Sequence, residues 1–460
     1  MNVASINIRR QRALLEKLGK IEYVKMLLLH FGIAFAIYIF EGLSLLYFLG
    51  VFGYFLFITI QNENRNNEAL MAAAYIAGAE VYWRMTGALF FYETGKYAVI
   101  LFLLIGIFFK GTSSKTVPFW TYLFILLPGV IVASVTISYE AEFRKLIAFN
   151  LAGPVCLGIS ALYCYYKKIR KKDFQRVLLM LLMPLLAQMI YLFLYTPSLQ
   201  EGIISLSGNY AATGGYGPNQ ISTVFGLGAF LLVTRLFTVK NKTVNLIDLI
   251  LLGMMGYRAL ITFSRGGVIT ALICIAAFIA LFYYKQNSGE KTKIRFKLII
   301  LLAIFLGIWS FSSLKTFGLL ENRYENRDAA GNLKEDITTG RVELVETELQ
   351  GFYENPVIGI GVGKGREYRE ENLGVEINTH NEISRLLAEH GILGVVAVII
   401  LIIVPLVFWT KFKNNYYFLA FLGFWFLTIN HSAMRIALPA FVYGLALLYI
   451  VDDKKNSLYR

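Results

Sequence analysis

The sequence predicts an all-α, polytopic integral membrane protein with about 12 to 14 transmembrane helices and one long, partly helical outer loop. The first observation is composition: 57% of the 460 residues are hydrophobic, 16% are charged, and the mean hydropathy is +0.58. Soluble proteins carry about 25% charged residues, so most of this surface must meet lipid. The second observation is a succession of apolar runs of about 20 residues, the length that crosses a hydrocarbon core. The third is that basic residues gather in alternate loops.

The spans are assigned from the apolar runs, with the N-terminus placed in the cytoplasm. Residues 1–23 are polar and basic and lack the small-residue cleavage site of a signal peptide. They are predicted to form an amphipathic cytoplasmic segment lying on the anionic leaflet. The third run is short, and boundaries are expected to err by a few residues. The predicted spans are approximately 24–40, 43–60, 69–79, 95–109, 118–137, 146–166, 176–195, 220–238, 246–262, 267–284, 298–314, 388–410, 417–431 and 434–451.

Basic residues agree with this alternation. The loops 167–175 and 285–297 are rich in lysine and arginine, and both fall on the cytoplasmic side. The loop 196–219, the turn near Ser264 and the long segment 315–384 fall outside, where long segments escape the charge rule. The formal net charge of +14 is therefore interpreted as a topology signal, and no nucleic-acid partner is expected.

The chain divides into four predicted parts. These are the N-terminus (1–23), a helix bundle (24–314), an outer loop with the candidate catalytic residues (315–384), and C-terminal spans with a short cytoplasmic tail (385–460). The cysteines lie inside apolar runs and form neither a disulfide framework nor a spaced metal site. They are Cys156, Cys164 and Cys274.

The outer loop has room for soluble structure. A helix is predicted from Arg341 to about Tyr353, with Thr339 as its N-cap. The glycines of the run 359–363 superficially resemble a phosphate loop, but no βαβ unit precedes them, so a close-packed turn is expected. The predicted apolar stripe of the helix is Val345, Leu349 and Phe352.

His380 is the first candidate for chemistry. Thr379-His380-Asn381-Glu382 has the pattern of a capping box, with Thr379 as N-cap and Glu382 three residues later, before an apolar run. This pattern predicts His380 in the first turn of a helix, where the positive helix end disfavours the imidazolium. A neutral ring could accept a proton from a hydroxyl group. A surface histidine packed against a cap is the alternative interpretation.

Arginines supply the second set of candidates. Ser264-Arg265-Gly266-Gly267 lies between two spans, where glycine permits a sharp turn and the guanidinium fork suits phosphate oxygens. Arg258 precedes Arg265 by seven residues and is expected to share its helix face. Arg341 stands at a predicted helix start, where a cation is disfavoured unless an anion compensates it. Snorkelling of Arg265 to headgroups, or pairing of Arg341 with Asp336 or Glu343, would explain them equally well.

Asn219, in Gly217-Pro218-Asn219-Gln220, could bind a sugar or headgroup, or simply form a turn. His431 and Arg435 lie between the last spans and are weaker candidates. No His/Cys/carboxylate cluster has metal-ligand spacing, no outer loop contains Asp-x-Asp, and no Walker motif occurs. No metal and no cofactor are therefore expected.

The combination of motifs resembles the superfamily of O-antigen ligases and Wzy-type polysaccharide polymerases. Each motif is weak singly, but their order around a long outer loop is more specific, and the resemblance covers roughly residues 200 to 410. It is carried by Gly217-Pro218-Asn219-Gln220, Ser264-Arg265-Gly266-Gly267, the segment from Thr339-Gly340-Arg341 to Pro356-Val357-Ile358-Gly359-Ile360-Gly361, and His380-Asn381-Glu382 followed by Glu389-His390-Gly391-Ile392-Leu393-Gly394.

The resemblance implies a metal-independent glycosyltransferase of the bacterial inner membrane that works at the periplasmic face, in lipopolysaccharide or surface polysaccharide biosynthesis. Such proteins move a glycan from undecaprenyl diphosphate to an acceptor hydroxyl, for example on lipid A–core. It implies that Arg265 and Arg341 hold the diphosphate and that His380 is the base or orienting group. The predicted substrate-binding residues are Arg258, Asn219, Ser264 and Asn381.

The sequence leaves alternatives open. A ligase passes a finished polysaccharide to its acceptor, whereas a polymerase of the same superfamily uses another lipid-linked repeat as acceptor. A transporter of lipid-linked glycans is a different class, which would place charged residues in several spans around a central cavity. Glu41, Glu80 and Arg84 fit that class, but most ionisable candidates gather at one face and favour an enzyme.

Overall fold

The computed structural model describes residues 3–139, 142–196, 210–328, 330–334, 340–374 and 377–452, with side chains described from residue 19 onward. The fold class is confirmed, because the described chain is an all-α bundle with ten helices long and apolar enough to cross a membrane. Residues 197–209 of the predicted loop 196–219, and Thr339 and Asp336, lie outside the described residues.

The first half of the chain contributes eight of the described helices. Proline breaks the fifth predicted span into two of them, since Pro128 at the second position of the new helix cannot donate a backbone hydrogen bond. The third span was predicted to be short, but its helix is about as long as those of the neighbouring spans. In chain order they are α1 (Val3–Ile39), α2 (Leu43–Gln61), α3 (Glu68–Met85), α4 (Thr94–Lys110), α5 (Val117–Ile125), α6 (Leu127–Thr136), α7 (Phe143–Cys164) and α8 (Lys171–Tyr195).

The second half begins after a short 3₁₀ turn, Ala211–Thr213. Its helices form two groups of spans separated by the short helices of the outer loop. In chain order they are α9 (Pro218–Thr238), α10 (Lys242–Leu260), α11 (Arg265–Tyr284), α12 (Ser288–Lys315), α13 (Leu319–Tyr324), α14 (Arg341–Glu354), α15 (Gly365–Leu373), α16 (Glu382–His390), α17 (Ile392–Lys411), α18 (Phe418–Ile429) and α19 (Ala437–Ala446).

A two-stranded parallel sheet was not predicted. The strands are β1 (Lys168–Arg170) and β2 (Tyr449–Val451), paired in the register Lys168 to Tyr449. The last predicted span, 434–451, was therefore wrong at its end, because α19 stops at Ala446 and the chain becomes extended. Pairing with β1 satisfies backbone groups that a longer helix would otherwise have satisfied.

Close packing of small residues builds the centre of the bundle. Nearly every residue of α3 is buried, and a Cβ at its Gly78 would stand 2.5 Å from the carbonyl oxygen of Leu181 on α8. Small residues let membrane helices approach in this way, since van der Waals packing drives their association. By contrast, α12 lies at the periphery and buries few of its residues, as expected of a helix surrounded by lipid.

The outer-loop helices α13–α16 cover one end of the bundle, here named the loop face. Gly359, Gly361 and Gly363 have positive φ angles of 73°, 98° and 86°. A Cβ on Gly361 would meet the backbone of Ala133 at 2.7 Å, and the amide of Val362 donates to the carbonyl of Gly129 at 2.9 Å. The glycine run is thus the expected close-packed turn, which anchors the loop to α6.

Helix α14 begins at Arg341 as predicted, but its predicted stripe was wrong. The buried residues are one position earlier, and Val345 instead faces a cavity. The reason is an ion pair: Glu348 faces inward because Arg369 of α15 donates to it at 2.7 Å, and Gly351 lets Tyr368 approach. The stripe is Leu344, Thr347, Glu348 and Gly351.

Candidate functional site

A cavity of about 410 Å³ opens on the loop face where α9, α11 and α14 meet. Four of the predicted site residues, Asn219, Ser264, Arg265 and Arg341, lie in its wall. We call it the cationic cavity. Its lining is Asn219, Ser264, Arg265, Gly266, Arg323, Arg341, Val342, Val345, Glu346 and His431.

Glycine-mediated packing sets the position of Arg265. A Cβ on Gly267 would collide with the backbone of Ser222 on α9, and one on Gly266 would stand 2.5 Å from the ring of His431. The hydroxyl of Ser222 donates to the Ser264 carbonyl at 2.8 Å. These contacts press the start of α11 against α9 and place Arg265 at the first helical position, where a cation is disfavoured without an anion.

Ser264 and Asn219 are tied to each other. The Ser264 hydroxyl donates to the Asn219 side-chain oxygen at 2.7 Å. Asn219 lies in the first turn of α9, and Ser264 immediately precedes α11. Because this bond uses the Asn219 oxygen, its amide nitrogen is the group left to donate into the cavity.

Three arginines converge on the cationic cavity. Arg265 donates to the side-chain oxygen of Asn326, and Arg323 of α13 donates to the carbonyl of Phe263 at 2.9 Å. Burial, and then the neighbouring Arg265 and Arg341, lower the pKa of Arg323. Burial, followed by Arg265 and Arg435, likewise lowers the pKa of Arg341. The guanidiniums therefore repel one another in a partly desolvated space.

The described carboxylates do not neutralise these arginines. Among the described residues, none of Arg265, Arg323 and Arg341 forms an ion pair, and the wall contains one carboxylate, Glu346. Four other buried or largely buried arginines of the same protein do form ion pairs with carboxylates. Those pairs are Arg84–Glu80, Arg235–Asp248, Arg369–Glu348 and Arg385–Glu382. Since a partly buried charge without a counter-charge is costly, the chemistry of the cavity is suited to an anionic ligand.

The predicted capping box before α16 was wrong. Asn381, not Thr379, caps the helix, because its side-chain oxygen accepts from the amides of Ile383 at 2.9 Å and Ser384 at 3.2 Å. Glu382 does not reach back to a cap; it pairs with Arg385. His380 therefore precedes the helix rather than standing in its first turn. The oxygen of Asn381, a predicted substrate-binding residue, is engaged in the cap.

His380 is not among the residues that line the cationic cavity, but the charges of Arg341 and His431 in its wall act on the ring. The carbonyl of His380 accepts from the amide of Ala433 at 3.1 Å, and its ring nitrogen Nδ1 is buried without a hydrogen-bond partner. Burial, and then Arg435, Arg341 and His431, lower the pKa of His380 to about 4. The ring is thus neutral at pH 7 because of burial and neighbouring cations, and it can accept a proton.

Arg435 was ranked as a weaker candidate, yet it fixes the segment that carries His380. Its guanidinium donates to the carbonyls of Thr379 at 2.7 Å and Asn378 at 3.4 Å. The carbonyl of Arg435 in turn accepts from Arg84 of α3 at 3.1 Å. Arg84 thus connects the N-terminal half of the bundle to Arg435, which holds the segment that carries His380.

Arg258 does not share a helix face with Arg265. The helix breaks between them, since α10 ends at Leu260 and α11 begins at Arg265. Arg258 instead donates to the carbonyl of Leu192 at 2.7 Å and to the hydroxyl of Thr196 at 2.8 Å, and it is absent from the wall of the cationic cavity. It satisfies backbone groups at the end of α8.

A separate apolar groove of about 300 Å³ lies among α9, α10, α11 and α12 and shares no lining residue with the cationic cavity. Gly226 and Ala229 of α9, and Val268 of α11, lie in its wall, within a few turns of Asn219 and Arg265. α10 and α12 complete the wall, and α12 is the lipid-exposed helix. The cavity and the groove together suit an amphipathic molecule with an anionic head and a hydrocarbon chain.

Arg323 and His431 are functional candidates that sequence reasoning missed or ranked low. In the sequence, Glu321-Asn322-Arg323 resembles an exposed helix end in which the two charges balance, so it does not mark Arg323 as functional. The ring of His431 fills the space left by the missing side chain of Gly266. The two residues are far apart in the chain, so the sequence alone does not show this contact.

Comparison with known proteins agrees with these features. Residues 250–399 match the model of the family described as O-antigen ligase. The matched segment runs from α10 into α17 and contains Arg265, Arg323, Arg341 and His380. No curated protein and no solved structure matches the chain. The segment 250–399, about a third of the chain, is thus similar to the O-antigen ligase family.

Proposed function

We propose that this protein transfers a glycan from undecaprenyl diphosphate to an acceptor hydroxyl at the periplasmic face of the bacterial inner membrane. The observation that carries the proposal is the set Arg265, Arg323 and Arg341, which forms no ion pair within the described residues and lines a cavity on two of the helices that also line an apolar groove. A polyprenyl diphosphate matches both parts, because its phosphates suit guanidinium forks and its chain suits the groove. The family match supports a lipid-linked glycan as the donor.

The chemistry follows from the placement of these groups. The acceptor oxygen attacks the anomeric carbon of the donor sugar while the bond from that carbon to the diphosphate oxygen breaks. The electron pair leaves with the diphosphate, where Arg265, Arg323 and Arg341 stabilise the growing negative charge. The hydroxyl proton passes to the neutral ring of His380. Attack opposite the leaving group inverts the configuration of the anomeric carbon.

We assign the protein to ligation, with a Wzy-type polymerase as the competing function. The two differ in the acceptor, so a strain that lacks the protein distinguishes them by its lipid intermediates. A ligase leaves polymer of ladder length on undecaprenyl diphosphate, whereas a polymerase leaves single repeats. Single repeats in the deletion strain would contradict the ligase assignment and keep the transferase chemistry.

Substitution at the cavity tests the transferase itself. We expect His380→Ala, Arg265→Ala and Arg341→Ala to lose transfer by a factor on the order of 100 or more while inserting normally. Arg265→Lys and Arg341→Lys are expected to rescue poorly, because lysine lacks the bidentate fork. Transfer is measured from lipid-linked glycan to acceptor in membranes, with insertion checked by folded protein yield.

Arg327→Ala is the matched control, since Arg327 follows Arg323 by four residues, pairs with exposed Glu325 at 2.8 Å and does not line the cavity. Full transfer in any two of the three alanine variants would reject the site. The protein would be a transporter instead if two results were obtained together. The unaltered protein would show no glycan transfer, and the His380→Ala variant would still move lipid-linked glycan across the membrane.

A further inference from the structure

A second polar cavity flanks the segment that carries His380. It has a volume of about 390 Å³ and shares no lining residue with the cationic cavity. The N-terminal part of α7, the start of α15 and the strand-like segment before His380 form its wall. The lining residues are Glu142, Lys145, Leu146, Phe149, Arg366, Glu367 and Asn378.

The charges of this cavity are balanced, unlike those of the cationic cavity. Glu142 and Lys145 form an ion pair at 2.8 Å, and Glu367 accepts from Lys364 at 2.8 Å and from the Ser138 hydroxyl at 2.9 Å. The wall therefore has no surplus of cations for a second diphosphate. It offers both hydrogen-bond donors and acceptors, which is the requirement for a ligand with many hydroxyl groups.

An aromatic ring completes the recognition chemistry. Phe149 is half-buried, and the ring of Tyr92 supports it at a centroid distance of 5.3 Å. A supported ring with one open face packs against apolar ligand surface such as the C–H face of a sugar. An aromatic platform surrounded by charged and amide groups is thus suited to a glycan.

The position of the cavity connects it to the reaction. Asn378, in its wall, lies two residues before His380, and Arg435 binds the carbonyls of both Asn378 and Thr379. The same His380 is influenced by Arg341 and His431 of the cationic cavity. The segment that carries His380 therefore joins the wall of the second cavity at Asn378, while charges of the cationic cavity act on the His380 ring.

We propose that the second cavity binds the terminal sugars of the acceptor glycan and presents their hydroxyl group to His380. This inference rests on the proposed transferase function, in which the donor diphosphate occupies the cationic cavity. It assigns the N-terminal end of α7, which lies outside the segment matched by the family model, to acceptor recognition.

The test separates acceptor use from donor binding with the full-length protein in detergent. The acceptor probe is glycolipid extracted from cells that lack the protein, and the donor probe for binding is undecaprenyl diphosphate alone. We expect Phe149→Ala to raise the acceptor KM by about three- to tenfold. Its affinity for undecaprenyl diphosphate is expected to stay within about twofold of the unaltered protein.

Two further variants guard against a simple folding defect. Lys145→Gln changes a side chain that is 79% exposed, so it leaves the fold intact, and we expect it to raise the acceptor KM about twofold. Phe149→Tyr keeps the aromatic face and is expected to keep the acceptor KM. Phe143→Ala is the matched control, because Phe143 lies on the same helix but outside the second cavity.

The outcomes distinguish the two proposals. Equal acceptor KM values in Phe149→Ala, Lys145→Gln and Phe143→Ala, with normal transfer, would overturn the acceptor site and leave the transferase standing. Undecaprenyl diphosphate binding that is unchanged by Arg265→Ala would instead overturn the donor site. A rise in acceptor KM confined to Phe149→Ala and Lys145→Gln supports the second cavity.

Discussion

His380 sits beside Arg341 and Arg435 with no carboxylate partner for its ring, and its pKa is lowered to about 4. A ring with this pKa is a weak base in the free protein, since general bases work best when their pKa is close to the working pH. A diphosphate in the cationic cavity adds negative charge next to Arg341. That charge offsets the cations which lower the pKa of His380, so donor binding should raise the basicity of the ring.

This coupling predicts a difference between two pH profiles. His380 must be unprotonated to act as base, so activity falls as the pH drops through its pKa. At saturating acceptor, kcat/KM for the donor reports the protein before the donor binds, and we expect its acid limb near pH 4. The acid limb of kcat, which reports the donor-bound protein, should lie at higher pH. The measurement is transfer rate against pH at low and at saturating donor. Coincident limbs would show that the diphosphate does not act on His380.

At the scale of the element, the α9–α11 contact positions Arg265. A Cβ on Gly267 collides with the backbone of Ser222, whereas Gly253 on α10 has no atom near its Cβ position. We expect Gly267→Ala to cost about 1–3 kcal/mol in overpacking, to lower the Tm and to impair transfer. Gly253→Ala is the matched control and should change neither. A Gly267→Ala protein with unchanged Tm would show that the two helices can separate freely.

Helix α3 provides another prediction at this scale. Glu80 accepts from Arg84 and from the amide of Ala437 at 2.6 Å, and Arg84 donates to the Arg435 carbonyl. Glu80→Gln leaves a buried guanidinium without its counter-charge, and we expect it to destabilise the protein by about 3–5 kcal/mol. The double variant Glu80→Gln with Arg84→Met removes that charge and should recover most of the Tm.

Transfer should stay impaired in the double variant, because Arg435 loses its anchor and holds Thr379 and His380 less firmly. The measurement compares Tm and transfer rate in the single and double variants. If the double variant recovered both its Tm and its transfer rate, this would show that α3 contributes only to stability.

At the scale of the whole molecule, the sequence predicted the fold class and the start of α14 because hydropathy and helix signals are local. The ordered motifs grouped His380, Arg258 and Asn381 with Asn219, Ser264, Arg265 and Arg341, and the last four line the cationic cavity. Prediction from the sequence failed where distant residues decide the outcome. The inward side of α14 depends on the Glu348–Arg369 pair, and Arg323 reaches the cavity only through the fold of the outer loop.

Corrections of boundaries have the same origin. Thr379 accepts from the amide of Asn381 at 3.1 Å, whereas Asn381 accepts from the amides of Ile383 and Ser384, so the helix begins after Asn381 and spacing alone does not reveal this. Arg258 was grouped with Arg265 by a periodicity that assumed one continuous helix. The turn from Ile261 to Ser264 ends that periodicity. Arg258 instead donates hydrogen bonds to Leu192 and Thr196 of α8 and its C-terminal end.

The pairing of β1 with β2 has a consequence for biosynthesis. The ribosome makes Lys168–Arg170 about 280 residues before Tyr449–Val451, so the first strand emerges long before its partner exists. Until then its backbone amides and carbonyls can bond only to water at the membrane surface. The β1–β2 pair therefore forms only after all the helices between the two strands have been synthesised.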